Sequence, residues 1–283
     1  MSLPAGTHMG TVTLTARDAP ELAEFYARVV GLAELGREGP AIHLGAPGAD
    51  RPLVVLEGDA QASAPGRTAG LFHLAVLLPD RAELGHAVRR VMQEGWRLTG
   101  ASDHFVSEAL YLRDPEGNGI EIYRDRPRED WTWRGDEVEM GTVALDVHDV
   151  IEASAGEPDV RPRVADGTTI GHVHLSVGDI PASEAFYRDV VGLDRTARYG
   201  DEATFMATGG YHHHLGMNVW AGRGLPAPAP GAQGLRSFEI VVPDAAAREA
   251  VAARAEQAGA LAAREDGTVI LRDPAGLPAV LRG

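Results

Sequence analysis

HVHLSVGDIPASEAFYRDVVGLDRT (172–196) repeats an earlier stretch, TVTLTARDAPELAEFYARVVGLAEL (11–35), at an offset of 161 residues. Asp18 corresponds to Asp179, Phe25-Tyr26 to Phe186-Tyr187, and Val30-Gly31-Leu32 to Val191-Gly192-Leu193. Each copy alternates apolar and polar residues, turns at the aspartate, continues at helical spacing through Phe-Tyr and stops at glycine. Such a change from period 2 to period 3.6 marks a strand that feeds a helix.

A second pair of repeats lies further along. HLAVLLPDRAELGHAVRRVMQEG (73–95) matches SFEIVVPDAAAREAVAARAEQAG (237–259), and YLRDPEGNGIEIY (111–123) matches ILRDPAGLPAVL (270–281). Short strands are expected after each helix, so the chain divides into four β–α–β–β–β modules at about 8–58, 70–125, 169–222 and 234–282. The first two form an N-terminal pair (8–125) and the last two a C-terminal pair (169–283). The linker 126–168 carries VALDVHDVIEASAG, read as a helix, and PDVRPRVADG, read as loop. The fold class expected is α+β.

Composition narrows the function. At 283 residues and 44% hydrophobic the chain can bury a large core. A net charge of -15 argues against nucleic acid, since binding a polyanion needs a basic surface. With no cysteine, disulfides, thiolate metal sites and cysteine nucleophiles are excluded. No apolar run is long enough to span a bilayer, and the start shows no signal-peptide pattern. The expectation is a cytoplasmic enzyme with no membrane partner, for which a homo-oligomer is open.

Modules that open with H-x-x-L-x-V-x-D and close with DP-x-G-N-x-x-E resemble the vicinal oxygen chelate superfamily of glyoxalases, bleomycin-resistance proteins and extradiol dioxygenases, nearest the two-domain catechol 2,3-dioxygenase-like branch. The resemblance covers nearly all of the chain except the linker. It implies barrel domains in which two modules cup one metal, with ligands from the first strand of each module and from one last strand. The first-strand position, seven residues before the following aspartate, falls on Thr11, His73, His172 and Ser237. The last-strand carboxylate falls on Glu121 in module two and on Val280 in module four.

Chemistry then chooses the pairing. Sequential pairing collects Thr11, His73 and Glu121, or His172, Ser237 and Val280, and neither set has two imidazoles with a carboxylate. Pairing modules two and three collects His73, His172 and Glu121, leaving modules one and four as a metal-free pair. Two imidazoles and one carboxylate on one face leave open cis positions, the ligand set of non-haem iron(II) oxygenases. Iron(II) is the expected metal, with manganese(II) second. His174 faces the same side of its strand as His172, and the seven-residue register selects His172.

Further residues match the extradiol pattern. Tyr111 precedes Glu121 by ten residues, and Asp103-His104 lies upstream, two residues further from the tyrosine than usual. GGYHHHLGMN (209–218) fits the paired-histidine strand of the partner module. The resemblance makes His213 or His214 the acid–base residue, and makes His104 and Tyr111 the groups that orient a small aromatic diol for attack by O2. An imidazole can accept and return a proton near neutral pH, and a phenol can stabilise an adjacent oxyanion. Phe25-Tyr26 and Phe186-Tyr187 are read as packing, Trp131 and Trp133 as a pocket cover or an aromatic staple, and His8, His43, His86 and His148 as surface or loop residues. Two other functions remain on the scaffold: a metal-dependent glyoxalase-like isomerase or thiol transferase, disfavoured because Met217-Asn218 stands where a second carboxylate is usual, and a non-catalytic small-molecule binder, disfavoured by the complete ligand set.

Overall fold

The computed structural model describes every residue except Met1, Pro158 and Asp266. Two mixed sheets curl around one continuous apolar core. The nine-stranded sheet runs Val143–Ala144, Gly100–Asp103, Ser107–Arg113, Gly119–Asp125, Gly70–Leu77, Thr169–Ser176, Leu215–Asn218, Ala203–Ala207, Asp194–Tyr199. At its centre Gly70–Leu77 and Thr169–Ser176 pair antiparallel, with His73 opposite His174. The eight-stranded sheet joins the outer modules in the same way, through antiparallel pairing of His8–Ala16 with Gly234–Val241. The middle modules therefore share one sheet and the outer modules the other, the arrangement that the ligand chemistry selects.

Within each module the first strand lies parallel to the last, which carries the residue aligned with Glu121 beside it. The helices start on aspartate caps: Asp18, Asp80, Asp179 and Asp244 each accept a backbone N–H three residues on. In the first and third modules the helix loosens into a π-turn, Tyr26–Val30 and Phe186–Val191. Both end at a glycine with positive φ, Gly31 at 92° and Gly192 at 101°.

The carbonyls left free by these turns are taken up from the next module. Arg90 donates to Val29 O (3.1 Å) and Val30 O (2.6 Å), and Arg254 donates to Val190 O (2.8 Å) and Val191 O (3.0 Å). Tyr187 Oη likewise donates to Asp273 at 2.9 Å, and Tyr26 Oη reaches Asp114 at 3.5 Å. Modules one and two lie in different sheets, as do modules three and four, so these contacts clamp one sheet to the other through the helices.

The linker forms a short helix, Val147–Glu152, packed on Arg81–Gln93. This packing corrects the reading of His86, which is fully buried rather than at the surface. Neither ring nitrogen has a hydrogen bond, although Nε2 lies 3.3 Å from the Glu157 carboxylate. His8 and His148 are exposed and His43 is half-buried, as expected. A second correction concerns 209–218. Gly209 and Gly210 adopt φ of 66° and 69°, and the strand begins only at Leu215, so His212–His214 form a turn. Side-chain directions there do not alternate as a strand's would.

Candidate metal centre and its cavity

Three buried donors meet at the centre of the nine-stranded sheet. His73 Nε2, His172 Nε2 and Glu121 Oε2 are separated by 3.2 Å (His–His), 3.0 Å (His73–Glu121) and 3.1 Å (His172–Glu121). The strands explain the convergence: Leu74 pairs with Ile120, and His73 sits diagonally from His172 across the antiparallel pair. Gly119 lets the Glu121 strand lie close to Phe72, since a methyl there would fall 2.0 Å from Phe72 O.

The triangle has the dimensions of a metal face. Ligand atoms held about 2.1 Å from one ion at right angles lie about 3.0 Å apart, and tetrahedral angles would spread them to about 3.4 Å. The edges sit at the octahedral end, which leaves the opposite face open. Electrostatics favour a cation here. Burial pushes the His172 imidazole down to about 4, Glu121 opposing, so its lone pair is free at neutral pH. Burial also resists ionisation of Glu121, yet His172 and His73 beside it hold its carboxyl well below the usual range. Three acceptor atoms this close repel unless positive charge lies between them. The donors present thus fit a divalent metal. His172 Nδ1 is buried without a partner, whereas metal-binding imidazoles usually donate that proton to an acceptor.

The donors open onto a cavity of about 790 Å³. Phe72, Trp220, Val106 and Met140 supply apolar wall, and His213, Tyr111, His104 and His174 supply polar groups. Tyr111 lies opposite Glu121 in register. His104 Nδ1 is 2.7 Å from Gly141 O, which fixes the ring proton on that nitrogen, so Nε2 accepts from the Tyr111 hydroxyl at 2.7 Å. Burial, and then the Glu121 charge, raise the Tyr111 phenol well above 10.0. His104 lies in the tight turn between the strands Gly100–Asp103 and Ser107–Arg113. Asp103 accepts from Phe105 N at 2.8 Å and pairs with Arg126, while Phe105 takes a φ of 71°. Asp103, the last residue of its strand, supports that turn and does not line the cavity.

The histidine turn separates its members. His213 borders the cavity and its ring lies 4.1 Å from that of His172. His214 packs on Tyr211 at 4.9 Å, does not line the cavity, and is pushed by burial down to about 3. Burial, and then the neighbouring imidazoles His172 and His212, hold His213 well below 6.5. His212 bonds Asp125 at 2.8 Å, a contact that strand parity alone could not reveal because it depends on the turn. Trp131 is buried against Tyr211 and His212, the staple rather than the cover, and Trp133 is exposed. His174 lines the cavity too, with Asn218 Nδ2 donating to its Nε2 at 3.0 Å; its shared face with His172 was the available signal.

No described helix is long and apolar enough to cross a membrane. The sequence pattern of the Glyoxalase/Bleomycin resistance protein/Dioxygenase superfamily matches residues 8–122 and 169–278. A Bacillus subtilis (strain 168) catechol-2,3-dioxygenase is 39% identical over 276 residues, 96% of each chain. Biphenyl-2,3-diol 1,2-dioxygenase 3 of Rhodococcus globerulus is 29% identical over 115 residues, 40% of this chain and 60% of its own. Among solved structures, glyoxalase I from Zea mays superposes with a TM-score of 0.59 at 15% identity, covering 98% of this chain and 92% of its own. By sequence pattern and by whole-length similarity, the chain belongs to the glyoxalase/bleomycin resistance/dioxygenase superfamily.

Proposed function

We propose that this protein is an extradiol dioxygenase that opens a catechol-type ring with O2, with iron(II) as its metal and manganese(II) as the alternative. The reading rests on one observation: a facial set of two imidazoles and a carboxylate opens onto a cavity that carries an imidazole and a phenol. The whole-length similarity to a catechol-2,3-dioxygenase supports it. His73, His172 and Glu121 would hold the metal, which would supply the Lewis-acid and one-electron chemistry that lets a diol react with O2. Both atoms of O2 enter the product, so no external reductant is required.

The chain's own groups then divide the work. Phe72, Trp220, Val106 and Met140 exclude water and hold the aromatic ring. Tyr111, whose own proton goes to His104, presents its phenol oxygen to accept a hydrogen bond from a diol hydroxyl and so orient it. His213 is the cavity imidazole suited to take up the diol's proton and return it. His214, which points elsewhere, has no such role in this proposal. Where a glyoxalase-type site would want a second carboxylate, Met217 and Asn218 stand, and Asn218 is committed to His174.

The test is direct. Protein loaded anaerobically with iron(II) and given catechol should consume one O2 per ring and release a yellow semialdehyde. Iron shown bound, with neither oxygen uptake nor colour across several catechols, would refute the assignment.

A further inference from the structure

Behind the cavity a file of polar groups runs from the metal side toward solvent. His213 borders the cavity, and its Nδ1 lies 2.7 Å from His212 Nδ1. His212, fully buried, places Nε2 2.8 Å from Asp125 Oδ1. Tyr211 Oη reaches the same carboxylate oxygen at 3.3 Å and bonds Tyr123 Oη at 2.8 Å. Asp125, a quarter exposed, is the outer end. It lies on the strand that carries Glu121, four residues on, so one strand supplies a metal-facing carboxylate and the carboxylate behind the histidines.

Hydrogen-bond logic fixes the protons along this file. A carboxylate is an acceptor only, so His212 must carry its proton on Nε2. In the neutral form of that ring the other nitrogen, Nδ1, offers only a lone pair. Two lone pairs cannot face each other at 2.7 Å, so His213 must donate from its own Nδ1. Its remaining nitrogen, Nε2, is left with its lone pair and has no partner among the described residues. Resting on the dioxygenase reading, we infer that Asp125 and His212 are positioning residues that lock His213 in the Nδ1–H tautomer and present the Nε2 lone pair to the cavity. The acid–base imidazole is thereby set as a proton acceptor before substrate arrives. The arrangement has the logic of a triad in which a buried carboxylate orients an imidazole, extended here by one further ring.

The tautomer can be read without turnover. In the 15N-labelled, metal-free full chain, long-range 1H–15N spectra distinguish protonated from unprotonated imidazole nitrogens, and the His213 signals are assigned by their loss in His213→Gln. Wild type should show Nδ1 protonated and Nε2 bare. His212→Leu and Asp125→Leu should lose that bias, while Asp125→Asn, which keeps an acceptor oxygen, should retain it. In the iron-loaded protein, His212→Leu and Asp125→Leu should lower kcat about tenfold or more with KM within about threefold, and Asp125→Asn should recover most of the loss. A wild-type His213 protonated on Nε2, or a tautomer unchanged in folded His212→Leu, overturns the inference. An iron-loaded wild type that consumes no O2 with catechols sinks the dioxygenase reading instead and leaves the tautomer result standing.

Discussion

Replacing Gly119 by alanine tests whether the metal face depends on close approach of two strands. The methyl would lie 2.0 Å from Phe72 O and 3.1 Å from His73 Cβ, whereas real Cβ contacts essentially never fall below 3.0 Å. The strands must therefore part by at least about 1 Å, because the obstacle is backbone and cannot rotate away. The displaced residues are neighbours of both ligands: Phe72 precedes His73, and Gly119 lies two before Glu121. Metal sites tolerate about 0.2 Å in ligand distance, so a displacement of this size should abolish the face. We expect Gly119→Ala to lower metal affinity by about 100-fold or more, about 3 kcal/mol. The metal-free fold should lose about 1–3 kcal/mol, the usual cost of overpacking. Gly70→Ala is the control: it lies at the start of the same His73 strand, with open space around it and no positive φ, and should change stability by less than about 0.5 kcal/mol. Calorimetric titration with cobalt(II), together with urea unfolding of the metal-free forms, measures both effects. Wild-type affinity in Gly119→Ala would refute the reasoning.

Other variants probe the cavity and the helix layer. Tyr111→Phe and His104→Ala should each lower kcat/KM for catechol by about tenfold; because the two groups share one hydrogen bond, the double variant should lose far less than the product of the single losses. His213→Ala should reduce kcat by about 10²–10⁴ at unchanged iron content, and His214→Ala by no more than about threefold, with steady-state oxygen uptake as the measure. Burial lowers the His86 imidazole below 6.5, with the Arg161 charge adding to it, so on acidification the unfolded chain takes the proton first and wild type loses stability as pH falls below that value. His86→Leu removes both the unpaired nitrogens and that proton, and its urea midpoint should exceed wild type by more at pH 5 than at pH 8.

What could be read in advance had a local period or a chemical constraint behind it. The strand-to-helix repeats carry their own caps and stops, so Asp18 and Gly31 marked the ends of an element that the structure forms. The pairing of modules followed from ligand chemistry because only one combination brings His73, His172 and Glu121 together. The remainder depended on contacts that no local period encodes. Whether His213 or His214 faces the cavity is settled by the left-handed pair Gly209-Gly210, which turns the chain before the strand begins. His86 is buried by a linker helix 60 residues and more downstream. Asp125 reads as an ordinary strand-end carboxylate until that turn brings His212 against it.

The eight-stranded sheet carries different groups at the positions that correspond to His73, His172 and Glu121. Thr11 occupies the place of His172, and its hydroxyl donates to Pro52 O at 2.7 Å. Its sheet nonetheless retains an acidic group on the central strand: Glu239 pairs with Val280, at the position that Ala75 takes beside Glu121. That carboxylate is largely buried and accepts from Arg51 (2.9 Å), Arg282 (2.9 Å) and Thr11 N (3.2 Å). Two guanidiniums around one carboxylate leave a local excess of positive charge, so a divalent cation would meet repulsion as well as a missing imidazole. In the nine-stranded sheet the balance is reversed: Glu121 has two imidazoles beside it, no guanidinium bonded to it among the described residues, and a cavity at its open side. The difference between a structural sheet and a metal-binding one thus lies in what neutralises the buried carboxylate, arginine in one case and, in the proposed function, the metal in the other.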